Sequence, residues 1–191
     1  MPLHTELWFP SVVWSGIVHW PNNDGIKSFA YETMEKDAGR HISNCGGWQS
    51  KDILANESIH IDSFVTSLNK EIAECVTQTG LPQLAIQNIW INVNPKGAYN
   101  KLHDHAGSVL SGVYYVDAEE GQGNFNIERS DNAQYFLPEN PDKLTYFTAT
   151  ATSYKAKTGA LYVFPSWLKH SVGANQIDKD RISISFNYGV K

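Results

Sequence analysis

The stretch NKLHDHAGSVLSGVYYV, residues 100–116, places two histidines and a carboxylate at the start of an apolar run. In an extended chain residues i and i+2 project to the same face, so His103 and His105 point together while Asp104 points away. A third histidine, His170, comes just after the strand-like GALYVF at 159–164. Three imidazoles meeting at one point would bind a divalent transition metal. Three protein ligands leave positions for water, substrate or O2, which is the arrangement of a catalytic site rather than a closed structural one. The competing reading is that a histidine-rich strand start is a surface feature, as His4, His19, His41 and His60 are expected to be.

Eleven residues past His170, Arg181 opens the segment RISIS. On a strand Arg181 and Ser183 share one face, and Ile182 and Ile184 take the other. An arginine aimed into a sandwich would be a costly unpaired charge. It would need an anion, and a planar guanidinium suits a carboxylate bidentately. Read alone, the segment would equally suit an outward arginine on an amphipathic strand.

The elements that must position these side chains are mostly strands. After Pro82, LAIQNIWINVN, HAGSVLSGVYYV, GNFNIERS, GALYVFPSW and RISISFNYGV follow in order, separated by the turn clusters NPKGAYN, DAEEGQG, LPENPDK and NQIDKD. Several short strands in a row without intervening helices predict an antiparallel sandwich or jelly roll. Ahead of them, LWFPSVVWSGIV (7–18) reads as a strand interrupted by Pro10. A helix is expected over NDGIKSFAYETMEKDAG, with Asn23 or Asp24 as its cap and Gly39 as its stop. SNCGGWQSKDIL (43–54) reads as a glycine-broken turn leading to an edge element. In a second helix, capped by Asp62 and ended by Gly80, Phe64, Leu68, Ile72 and Val76 recur every four residues, the stripe of a helix packed on a sheet. The region 130–157 is the least regular and reads as a loop over one end.

The chain of 191 residues, 41% hydrophobic, is long enough for one core, so a single domain over 1–191 is expected, with supporting elements in 1–82 and the β core in 83–191. A net charge of −5 gives no support to a nucleic-acid partner. Cys45 and Cys75 have neither metal-finger nor redox spacing and read as isolated thiols. MPLHTELWFP lacks a basic start followed by an apolar core, and no apolar run reaches membrane-spanning length. A cytoplasmic protein without a membrane partner is expected.

The order Tyr99 … His103-x-His105 … Gly159-x-Leu161-x-x-Phe164 … His170 … Arg181-x-Ser183 resembles the 2-oxoglutarate- and iron(II)-dependent oxygenases, in particular their prolyl-hydroxylase-like branch. SGVYYV (111–116), GALYVFPSWLKH (159–170) and RISISFN (181–187) carry the resemblance, which spans about residues 88–188. It implies a double-stranded β-helix, a cupin-like jelly roll, with the N-terminal helices packed on one sheet. It implies Fe2+ and O2 at the site and 2-oxoglutarate as cosubstrate. His103 and His170 would be the two histidine ligands. Arg181 would pair with the distal carboxylate of 2-oxoglutarate, with Ser183 and Tyr115 adding hydroxyls. Asn92 would face the cosubstrate, and Tyr99 would lie near the metal entrance. For the two tyrosines, ordinary core packing is the competing reading.

The departure from the family pattern is the second ligand, usually an aspartate or glutamate two residues after the first histidine. Here that position is His105. Three solutions stand open: His105 ligates and makes an all-imidazole face, a bulge swings Asp104 inward, or the site holds no metal. Without the carboxylate the metal centre is one unit more positive. Trp48 and Trp167 would either wall the substrate site or pack as ordinary core and end-plug residues. The resemblance implies oxidation, by default hydroxylation, of a peptidyl or small-molecule substrate, and the sheet edges would suit a homodimer. Two other functions fit the same residues: a three-histidine iron dioxygenase of cupin type that does without 2-oxoglutarate, and a non-enzymatic jelly-roll binding module.

Overall fold

Alternation along the last strand divides the molecule into two faces. The computed structural model describes residues 3–191, and its final strand runs Arg181–Val190. Ile182, Ile184, Phe186 and Tyr188 enter one apolar cluster, whereas Arg181, Ser183 and Ser185 line a cavity on the opposite side. One side therefore meets helices and the other meets a second sheet.

In chain order the elements are β1 (Trp14–Ile17), α1 (Asn23–Lys36), β2 (Asn44–Cys45), β3 (Trp48–Gln49), α2 (Ile59–Thr79), β4 (Leu84–Asn94), β5 (Tyr99–His103), β6 (Leu110–Asp117), β7 (Phe125–Glu128), a 3-10 turn at Asn132–Phe136, β8 (Ala151–Tyr154), β9 (Ala160–Pro165), β10 (Lys169–Val172) and β11 (Arg181–Val190). They form a six-stranded sheet in the order β1-β9-β6-β11-β4-β3 and a five-stranded sheet in the order β2-β5-β10-β7-β8. Every pairing is antiparallel. This is the expected jelly roll.

The two helices cover the outer face of the larger sheet. Phe64, Leu68 and Ile72 of α2 and Ile26 and Ala30 of α1 pack with Ile89, Ile91 and Val93 of β4, Tyr114 and Val116 of β6, and the apolar side of β11. Between the sheets, Val113, Tyr115, Phe125, Ile127, Tyr162, Phe164 and Leu168 form a second cluster. Buried apolar area contributes about 25 cal/mol per Å2, so these two layers carry most of the stabilisation.

Local boundaries differ from the sequence expectation where polar side chains have other partners. The cap of α2 is Ser58, whose hydroxyl accepts from the Ile61 amide at 3.5 Å. Asp62 sits in the first turn, and its carboxylate accepts from the Asn56 amide at 3.1 and 3.2 Å, a favourable place for negative charge at a helix N-terminus. Gly80 ends the helix as expected, at φ 70°. Helix α1 begins at Asn23, after Asn22, whose amide is bonded to the His60 ring at 2.6 Å rather than capping the helix. It ends at Lys36, before the expected Gly39. Only Trp14–Ile17 of the expected N-terminal strand pairs; Phe9, with φ 58°, precedes Pro10 and breaks the extension. Part of the irregular region forms β8, paired with β7. Both cysteines are free, and among the described residues no helix is long and apolar enough to cross a membrane.

Candidate metal centre

Strand pairing brings the first two histidines together. In the β5–β10 ladder His170 stands directly opposite His103. His105 lies just past the end of β5, where its amide donates to the Ser166 carbonyl at 2.9 Å. The ring centroids are 4.3 Å apart for His103 and His170, 4.9 Å for His105 and His170, and 5.1 Å for His103 and His105. One ring nitrogen of each lies within 4.8 Å of the other two.

Hydrogen bonds decide which nitrogen is free. Nδ1 of His103 is 2.7 Å from the Lys101 carbonyl, and Nδ1 of His170 is 2.9 Å from the Leu168 carbonyl. A carbonyl only accepts, so both Nδ1 atoms carry the proton. Nδ1 of His105 is 2.6 Å from Oδ1 of Asn187 and 2.9 Å from Oγ of Ser111. Facing the Asn187 oxygen, it too is the protonated nitrogen. All three lone pairs therefore sit on Nε2. Burial holds each imidazole below its usual pKa, that of His170 at about 3, where the neighbouring His103 adds to the effect. The rings are neutral and able to bind a cation at neutral pH.

Asp104 is exposed and stands outside this cluster. The bulge that would have carried it inward is absent at that position, and its charge acts on His103 and His105 only from outside, opposing the effect of their burial.

The cavity lined by the three histidines, about 490 Å3 including its open mouth, is also lined by Arg181. Arg181 is 2% exposed. Its Nη1 donates to the carbonyls of Gln122 and, at 3.0 Å, Gly173, and it enters no ion pair among the described residues. Burial lowers its pKa, partly offset by Tyr115. Ser183 pairs with Tyr115 on one side and Asn92 on the other, so all three face the cavity in one row. The Tyr115 hydroxyl is buried without a partner, as is Oδ1 of Asn92, whose Nδ2 donates to Ser185 at 3.1 Å. Burial pushes the Tyr115 pKa up to about 12 against the pull of Arg181.

Tyr99, Trp48 and Trp167 do not line the cavity. Tyr99 is 41% exposed and outside the cavity. In the β5–β10 ladder His103 faces His170 but Asn100 faces Val172, so β5 carries one extra residue. Such a bulge inverts the alternation, turning Asn100 inward with His103 and Tyr99 outward. Trp48 pairs with Val93, packs on the helix-side core, and donates from Nε1 to the Asp37 carbonyl at 2.9 Å. Trp167, in the turn between β9 and β10, is 53% exposed and does not line the cavity. Residues that were not anticipated are Trp90, Asn100 and Ser185 in the lining, and Ser111 and Asn187 behind His105. Extending the two-residue stripe from Arg181 through Ser183 would have reached Ser185 and Asn187.

Residues 88–187 match the sequence profile of a family described as "Putative 2OG-Fe(II) oxygenase". No curated protein sequence resembles the chain closely enough to be matched. Solved structures share the fold at low identity. A Pseudomonas putida prolyl-4-hydroxylase is 15% identical, with 95% of this chain and 94% of that one covered and a TM-score of 0.65. HygX from Streptomyces hygroscopicus, solved with nickel and 2-oxoglutarate bound, is 14% identical, with 95% and 84% covered and a TM-score of 0.67. The non-heme α-ketoglutarate-dependent epimerase SnoN from nogalamycin biosynthesis is 14% identical, with 95% and 79% covered and a TM-score of 0.71.

Proposed function

The chain belongs to the 2OG-Fe(II) oxygenase family, and from that premise we propose that it hydroxylates a peptidyl or small-molecule substrate, using O2 and 2-oxoglutarate. His103, His105 and His170 hold Fe2+ through Nε2. Arg181 pairs with the distal carboxylate of 2-oxoglutarate, and Tyr115 and Ser183 offer it hydroxyls. Three neutral imidazoles are a suitable donor set for ferrous iron. The buried guanidinium and the unpartnered phenol are what a carboxylate would satisfy.

When bound, iron and 2-oxoglutarate supply the oxidising power, O2 being consumed as the 2-oxo acid loses CO2 and becomes succinate. The residues of the chain do the rest. The imidazoles bring no negative charge, so an anionic cosubstrate meets a full dipositive centre at one end and Arg181 at the other. Val113, Phe125 and Phe164 wall the cavity and exclude water around the reacting groups. Burial, which lowers the pKa of each histidine, disfavours protonation that would compete for Nε2.

The observation that carries this reading is Arg181: a guanidinium 2% exposed, facing the same cavity as three convergent imidazoles, with no acidic partner among the described residues. The test is succinate formation from 2-oxoglutarate with Fe2+ across a panel of peptides, amino acids and small metabolites. Succinate should form with at least one substrate and should be lost in Arg181→Ala. The all-imidazole face also favours a second reading, an iron dioxygenase that does not use 2-oxoglutarate. Oxygen uptake with substrate that needs no 2-oxoglutarate and survives Arg181→Ala would replace the first reading with the second.

A further inference from the structure

The three histidines are not held in the same way. His103 and His170 are each fixed by the backbone two residues earlier, through Lys101 and Leu168 carbonyls that any side chain at those positions would supply. His105 alone depends on side chains remote in the sequence. Its Nδ1 lies 2.6 Å from Oδ1 of Asn187, 82 residues away. Ser111 bonds to the same oxygen at 2.7 Å and to Ser166 at 2.7 Å. Nδ2 of Asn187 donates to Oδ1 of Asn88 at 2.8 Å. Ser111, Asn187 and Asn88 form one row across β6, β11 and β4. Ser111 and Ser166 are fully buried and Asn187 is 5% exposed. The β4–β11 register shifts just beyond Asn187, where β4 carries one extra residue, while Asn187 itself keeps the regular alternation of β11.

We propose that Asn187 is a positioning residue for the metal, the device that lets a histidine serve where the family pattern usually has an acid. A carboxylate ligand has no second nitrogen to place, whereas a histidine there can rotate or carry its proton on the wrong atom. The Asn187 amide is anchored by Asn88, so its oxygen faces His105. That oxygen fixes the ring plane and the proton on Nδ1, and directs Nε2 toward His103 and His170. Because the acceptor is an amide and not a carboxylate, it does so without adding negative charge to the centre. The inference rests on the metal-site reading above.

The test uses Co2+ binding, followed by calorimetry and by the visible d–d absorption, so that no turnover is needed. Asn187→Leu should weaken Co2+ binding by about 10- to 100-fold, the usual effect of removing an outer partner of a metal-bound histidine, and should alter the d–d band. Asn187→Asp, which keeps the acceptor, should restore binding. In a His105→Ala background Asn187→Leu should cost nothing further, whereas in a His103→Ala background it should still cost. A purely structural role would lower thermal stability alike in all backgrounds and leave the d–d band unmoved. If Asn187→Leu fails to fold, Asn187→Ser withdraws the oxygen from Nδ1 with a smaller polar side chain and is subject to the same comparison. Native Co2+ affinity in the folded variant, or an equal loss in the His105→Ala background, overturns the proposal. Failure of the wild-type protein to bind Co2+ overturns the metal-site reading itself.

Discussion

His170 faces His103 directly across the β5–β10 ladder, with ring centroids 4.3 Å apart. Two imidazoles placed by a backbone register form a rigid pair, and His105 closes the third corner. Replacing His103, His105 or His170 with Ala should each weaken Fe2+ or Co2+ binding by more than the roughly 10- to 100-fold typical of outer-partner changes. Asp104→Ala should leave affinity near native, because that carboxylate is exposed and outside the cluster. Equilibrium dialysis of the four variants decides it; a large loss in Asp104→Ala alone would return the carboxylate to the ligand set.

Arg181 has a structural duty and, in the proposed function, a binding one. Its Nη1 satisfies the carbonyls of Gln122 and Gly173, and its charge has no acidic partner among the described residues. Arg181→Lys keeps the charge but not the planar fork. Losing one of the fork's two hydrogen bonds to a charged group costs about 1.5–3 kcal/mol, so 2-oxoglutarate affinity should fall roughly 10-fold or more. The two carbonyls left short of a donor should lower stability by about 1–3 kcal/mol. Calorimetric titration and denaturant unfolding measure the two effects separately.

How much of this could be read from the sequence depended on whether a residue's placement was local. Strand alternation was enough to put His103 beside His105 and Arg181 beside Ser183, and the run of strands was enough for the jelly roll. Tyr99 turns away from the cavity because one extra residue in β5 inverts the alternation between Asn100 and His103, and nothing in NKLH marks a bulge. Trp48 faces the helices because it is paired with Val93 rather than with a cavity residue, a long-range pairing that a two-residue strand does not announce. Asp62 has the residue type of a cap, but Ser58 one turn earlier reaches the Ile61 amide. The role of Asn187 is not legible in the sequence because its partners, Ser111 and Asn88, are 76 and 99 residues distant.

Asp117, at the end of β6, accepts from Lys27 of α1 at 2.5 Å and pairs with Lys179, just ahead of β11, at 3.0 Å. Burial works to raise its pKa, but the hydrogen bonds from Lys27 and Lys179 outweigh it and hold the carboxyl below its usual range. The folded pKa is thus below the unfolded value of about 3.9. The stabilisation is complete above that value and is lost as pH falls through the folded pKa. Its size is under about 1 kcal/mol at neutral pH, since all three side chains are partly exposed. Asp117→Asn should flatten this part of the acid limb in a series of urea melts between pH 2 and pH 7, and an unchanged limb would remove the carboxylate from the account.

Gly112, in β6, has no room for a side chain. A Cβ there would collide with the Phe186 ring and come within 2.7 Å of the Tyr162 carbonyl. Overpacking of this kind costs about 1–3 kcal/mol, and each kcal/mol lowers the thermal midpoint of a chain this size by about 2–4 °C. Gly112→Ala should therefore melt several degrees lower. A melting curve that overlays the wild type would mean that the Phe186 ring and the β6–β9 pair make room at no cost.

Tyr115→Phe separates folding from binding more sharply than any other substitution in the cavity. The phenol oxygen is buried and has no hydrogen-bond partner, while the ring packs in the inter-sheet core. Deleting an unsatisfied buried hydroxyl removes a desolvation cost without losing a bond. The variant should be as stable as the wild type or more so, by up to about 1–3 kcal/mol. If the hydroxyl is kept for a carboxylate held by Arg181, the same change should raise the Kd for 2-oxoglutarate by roughly 10-fold or more, the worth of one hydrogen bond to a charged group. Stability and affinity would then move in opposite directions. A variant less stable than the wild type, with 2-oxoglutarate binding untouched, would assign the hydroxyl to the fold and leave Arg181 to hold the carboxylate without it.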